Sequence, residues 1–150
     1  MSANLQATAI SALGDRLEAL GRSLGEREAA HSEALRRARD CAAGLRDHIA
    51  TALDRFHAAS EKAGASHLRV EIGEIRIDDK HLRAVEFDLR RGRHRAIVTA
   101  KSRGEVTLVG PFRVGKVEGP CKSFPFEAQD ELDRALGEFL EQFVEEAATP

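Results

Sequence analysis

Apolar residues recur every seven positions along the first 60 residues, at Ile10, Leu17, Leu24, Ala38, Leu45, Ala52 and Ala59, with His31 as the one polar member of the column. A companion column stands three residues after the first at Leu13 and Leu20. It then stands four residues after it at Leu35, Ala42, Ile49 and Phe56. Such a change of side is a local stutter, which unwinds a left-handed supercoil. The pattern predicts a coiled-coil-like helix and not a regular zipper.

Helical periodicity extends from Ala3 to Ala63, and the first proline is Pro111. A single helix of that span would be ~90 Å long at ~1.5 Å per residue, against three or four turns for an average globular helix. The rest of a 150-residue chain cannot cover so long an apolar face, so a homo-oligomer is expected. Its interface would use Ile10, Leu13, Leu17, Leu20, Leu24, Leu35, Leu45, Ile49 and Phe56. Gly21 and Gly25 leave an alternative open. They bracket Ser23, and Ser23-x-x-Glu26 has the form of a capping box that could start a second helix and make a hairpin. The unbroken phase from Leu17 through Leu24 to His31 favours one continuous helix.

After Gly64-Ala65-Ser66 the apolar period falls to two, the signature of a strand. Leu68, Val70 and Ile72 are followed by Ile75 and Ile77 one residue out of phase, which predicts a β-bulge at Gly73 or Glu74. A turn is expected at Asp78–His81. A second strand should then point Val85, Phe87 and Leu89 inward and Glu86, Asp88 and Arg90 outward. Arg91-Gly92-Arg93 should turn into a third strand through Ile97, Val98 and Thr99. Ser102-Arg103-Gly104 should turn into a fourth over Glu105–Gly110. Pro111 is expected to break that strand, with Phe112–Val117 as a fifth. Short sequential strands with tight turns define an antiparallel meander. Gly119-Pro120 closes it, and an amphipathic helix over Ala128–Ala147 follows, with Leu132, Leu136, Phe139, Leu140, Phe143 and Ala147 on one face. The fold class is therefore α+β. A long N-terminal helix (or helical hairpin) precedes a four- to five-stranded antiparallel meander, with a C-terminal helix packed on the sheet. The expected division is residues 1–66 as an oligomerisation element and 67–150 as sheet plus helix.

Composition adds little until it is divided along the chain. Residues 1–63 hold nine Lys/Arg and nine Asp/Glu, residues 64–124 thirteen and eight, and residues 125–150 one and eight. A basic middle thus precedes an acidic last helix, which could neutralise it internally. Mean hydropathy is -0.37, no apolar run approaches the ~20 residues of a membrane span, and the first residues lack the pattern of a signal peptide. No membrane association is expected. Cys41 and Cys121 are read as reduced thiols in a cytoplasm. Richness in Ala, Arg, Gly and Leu fits a bacterial composition.

Motifs for chemistry are missing. The sequence contains no phosphate-binding glycine loop, no Cys-x-x-Cys and no Gly-x-Ser-x-Gly, so no catalytic residue and no cofactor is assigned. Glu28-x-x-His31 and Asp54-x-x-His57 resemble half of a di-iron set. On one helix they would stand ~39 Å apart, and no metal site is expected. Cys121 beside Lys122 reads as an ordinary free thiol. The sharpest charge signal is Arg90, Arg91, Arg93, His94 and Arg95 around Gly92. That hairpin could bind an anion, or simply guard a sheet edge with charge. Without interleaved aromatics it is a poor platform for stacked bases. The favoured expectation is a non-enzymatic cytoplasmic interaction or scaffold module that self-associates and could hold a protein partner. The alternative is a nucleic-acid- or phosphate-binding module using Arg90–Arg95. A third, weaker expectation is an enzyme whose site is assembled across subunits.

Overall fold

In the computed structural model the described residues are 2–78, 83–115 and 119–149. Helix α1 spans Ser2–Lys62 without interruption, so Gly21 and Gly25 do not break it. Both glycines sit in a stretch rich in Leu, Arg, Glu and Ala, whose helix propensity offsets the roughly 1 kcal/mol cost of each glycine. The helix stops at Gly64, whose positive φ of 85° lets the chain reverse. There the Gly64 N–H donates to the Glu61 carbonyl at 3.0 Å and the Ala65 N–H to the Ser60 carbonyl at 2.8 Å, a Schellman-type termination.

Among the described residues six antiparallel strands follow: β1 (Glu71–Ile72), β2 (Arg76–Ile77), β3 (Ala84–Arg91), β4 (His94–Lys101), β5 (Glu105–Arg113) and β6 (Cys121–Pro125), before helix α2 (Gln129–Ala148). The sheet order is β1-β3-β4-β5-β6, with β2 also paired to β3. The expected bulge is present. Glu71 pairs with Arg90 and Ile72 with Leu89, whereas Arg76 pairs with Glu86 and Ile77 with Val85. Gly73, Glu74 and Ile75 therefore oppose only Phe87 and Asp88. The class is α+β, as expected.

Two details differ from expectation. Pro111 does not end its strand, since β5 runs through it to Arg113, with Gly110 at φ 114° and a cis Gly110–Pro111 peptide. A register shift between Arg95 and Ile97 of the partner β4 absorbs the irregularity. The expected separate strand at Phe112–Val117 therefore starts as the end of β5. Its last residues, like most of the expected turn at Asp78–His81, lie outside the described residues. The last strand is instead β6, which carries no strand signature in the sequence. Its residues are exposed except for half-buried Phe124, so it carries no hydrophobic alternation, and Pro125 is tolerated because the strand lies at an edge.

Alternation along β3 to β5 puts Val85, Phe87, Leu89, Ala96, Val98, Ala100, Val106 and Leu108 on one face, all buried. Leu132, Leu136, Phe139 and Phe143 of α2 pack there, and so do Leu45, Ile49 and Leu53 of α1. A smaller cluster sets Ala38 and Ala42 against Val85 and Ala100, where small side chains permit close approach. The compact units are accordingly Met1–Glu33 and Ala34–Pro150. The boundary between these units lies ahead of the expected residue 66, because the second half of α1 belongs to the core of the sheet unit. In that core it buries the apolar face that sequence assigned to a second copy.

Candidate functional site

Two regions carry the candidate residues. The first is in the N-terminal unit. Ile10, Leu13, Leu17, Leu20 and Leu24 are each between 49% and 69% exposed, and Leu5 is 72% exposed. Their spacing alternates three and four residues, the a/d rhythm of a coiled-coil seam. The remaining members of the expected interface are placed differently. Leu45 and Ile49 are buried in the core of their own chain, and Leu35 packs against the Ala38–Ala42 cluster. Phe56 is half-buried, its ring centroid 5.7 Å from that of His57. These four therefore lie outside the exposed apolar row.

The second region is the β3–β4 hairpin. Strand pleating divides its five basic residues between opposite faces of the sheet. Arg90 and Arg95 lie on the face away from the helices, around Asp88. The Asp88 carboxylate is 4% exposed and meets Arg95 Nη2 at 2.7 Å, Arg90 Nε at 3.4 Å and Arg76 Nη1 at 3.7 Å. This buried acid sits over the bulge, and a Cβ on Gly73 would collide with its Oδ1. Sequence reasoning marked Asp88 only as an outward residue of a strand.

Arg91 points to the other face. Its Nε donates to the Ala147 carbonyl in the last turn of α2 at 3.2 Å, and its Nη1 donates to the carbonyls of His67 at 3.0 Å and Arg69 at 3.4 Å. The hairpin does serve α2, through backbone carbonyls and not through the helix's carboxylates. A cation at this helix end also complements the macrodipole. Arg93 and His94 remain. With Arg91 they line a cleft of about 410 Å³ that also takes in Arg113 and Thr149. Arg113 was missed in the sequence because it lies far along the chain, and only strand register brings it opposite His94. The other basic turn is neutralised locally. Glu105 accepts hydrogen bonds from Arg103 and, at 3.5 Å, from Lys101, and the Arg103 bond is the main cause that holds its carboxyl below the usual range.

Neither carboxylate–histidine pair forms a cluster. His57 is engaged as a structural acceptor, its Nε2 receiving the Val70 N–H at 3.0 Å. Among the described residues no group of three or more His, Cys, Asp or Glu side chains is arranged to hold a metal. Cys41 and Cys121 are free thiols. Cys41 is half-buried on α1, and burial pushes its thiol pKa up. Among the described residues no helix is long and apolar enough to cross a membrane. No family model matches the chain, and neither a curated protein nor a solved structure matches it.

Proposed function

We propose that this chain is a non-enzymatic, cytoplasmic interaction module that self-associates through residues 5–24. The observation that carries the reading is the row Ile10, Leu13, Leu17, Leu20 and Leu24, five large apolar side chains about half or more exposed on one helix. A contiguous apolar strip of this kind is unfavourable in water and marks an interaction surface. The three–four spacing favours a helix of the same kind as the occupant. Gly14 and Gly21 flank the seam, one residue after Leu13 and Leu20, and leave room for a neighbouring helix to come close. About two heptads form the seam, fewer than the three or four that make a confident coiled coil, so association should be concentration-dependent. Two unpaired thiols fit a reducing compartment.

The test is the solution mass. Wild type should exceed the monomer mass at tens of micromolar (about −6 kcal/mol of association free energy). Leu13→Glu with Leu17→Glu should return it to monomer by placing charge in an apolar seam, with no change in the unfolding of the sheet unit. A wild-type monomer across that range removes the proposal.

A further inference from the structure

We propose that the cleft beside the β3–β4 turn is a binding site for a phosphate-class oxyanion, a phosphomonoester or pyrophosphate group, held by Arg93, His94 and Arg113. The inference stands independently of self-association. It begins with strand register. Arg91 is the partner of His94, and His94 is the partner of Arg113, so three basic residues form one row across three adjacent strands. Arg93 follows at the turn, and its carbonyl accepts the Val114 N–H at 2.8 Å. Like charges directly opposite one another in a sheet are destabilising.

Elsewhere on this sheet the same problem is solved within the chain. Arg76 is matched by its register partner Glu86 at 3.0 Å, Lys101 by Glu105 at 3.5 Å, and Arg95 by Asp88 at 2.7 Å. In the cleft row the described residues supply no such carboxylate. Among the described residues Arg93, His94 and Arg113 have no acidic partner, and Arg91 spends its hydrogen bonds on carbonyls. At the end of α2 two carbonyls are already engaged. Its Ala147 carbonyl is taken by Arg91, and its Glu145 carbonyl accepts both the Thr149 N–H at 3.1 Å and the Thr149 hydroxyl at 2.6 Å.

The chemistry of the donors selects the anion. Two guanidinium groups and an imidazole offer more donors than one carboxylate can accept, while a tetrahedral phosphate presents three or four oxygens to planar guanidinium forks. The cleft, about 410 Å³, leaves room for a group esterified to the phosphate. A nucleic-acid backbone fits less well. It asks for cations tracking a strand, but Arg90 and Arg95 are turned to the opposite face and held by Asp88.

The experiment titrates the full chain at low salt with inorganic phosphate, pyrophosphate and a short DNA duplex, read by calorimetry and by amide shifts. Saturable pyrophosphate binding is expected, with shifts confined to residues 91–94, 113–115 and 149. Arg93→Ala with Arg113→Ala should weaken it at least about 10-fold, since charge-assisted bonds are lost. Arg93→Lys with Arg113→Lys keeps the charge and loses the forks, and should give an intermediate loss. Arg90→Ala, on the other face, should bind as wild type. Thermal melts should show both double variants folded, because Arg93 and Arg113 have no side-chain bond among the described residues. No binding by about 10 mM pyrophosphate overturns the site. Equal binding by the alanine double variant overturns it as well. Duplex binding tighter than pyrophosphate and sensitive to Arg90→Ala overturns it in favour of a nucleic-acid surface.

Discussion

His57 illustrates how a residue that looks like chemistry in a sequence can be fully used by structure. Its Nε2 accepts the Val70 N–H at 3.0 Å, which requires a neutral ring. Burial lowers its pKa below the ordinary 6.5, the Arg69 charge lowers it further, and Asp54 opposes both. The unfolded chain therefore takes up the proton first as pH falls. Stability from the neutral ring is complete above the unfolded pKa of about 6.5 and is lost as pH falls toward the lower folded value. The urea midpoint of wild type should fall between about pH 7 and pH 5 by more than that of His57→Gln, which still offers an acceptor but does not titrate. Parallel pH profiles for the two proteins would exclude this role. The Asp54-x-x-His57 spacing was visible in the sequence. Its use was not, because the partner is a backbone amide 13 residues away, and backbone amides leave no mark in a residue pattern.

At the scale of elements, the bulge between β1 and β2 is the feature most tightly determined by its neighbours. Asp88 occupies the space where a side chain at residue 73 would begin, and its carboxylate is fixed there by Arg95, Arg90 and Arg76. Gly73→Ala must displace that carboxylate or the strand and should cost about 1–3 kcal/mol. Gly137→Ala is the contrast. It lies exposed within α2 with nothing within 4 Å of the added Cβ, and should stabilise by roughly 0.5–1 kcal/mol. Denaturant midpoints check both, and equal effects would contradict the packing described. The bulge was legible because one extra residue shifts the apolar phase between Ile72 and Ile75. The edge strand β6, on the opposite side of the sheet, was not, since an exposed edge has no phase to read. The basic hairpin was legible as composition, but a run of six residues hides the alternation that sends Arg90 one way and Arg91 the other.

For the whole molecule, the boundary between units makes the sharpest claim. A chain beginning at Ala34 retains every buried hydrophobic residue from Ala38 onward and should unfold cooperatively, close to the full-length sheet unit. A chain beginning at His67 loses Leu45, Ile49 and Leu53, each about 5% exposed or less. At ~2–5 kcal/mol per side chain this is comparable to the ~5–15 kcal/mol stability of a whole domain, so no cooperative transition is expected. A well-folded 67–150 fragment by circular dichroism would restore the division expected from sequence. The two divisions differ for a physical reason. A seven-residue apolar column says that a helix face is covered, and it says the same whether the cover is a second helix or the chain's own sheet.

One consequence follows from the order in which the core is assembled. Residues 45–53 and residues 132–143 meet in the same cluster, yet the sheet lies between them in the chain. During synthesis the hairpins β3–β4 and β4–β5 can form from near neighbours, but the core cannot close until α2 has left the ribosome. Residues 5–24 leave the ribosome before the sheet and α2 and owe nothing to that closure. If they are the self-association element, polysome neighbours meet through these helices while their sheets are still unmade, and assembly is decided before folding is finished.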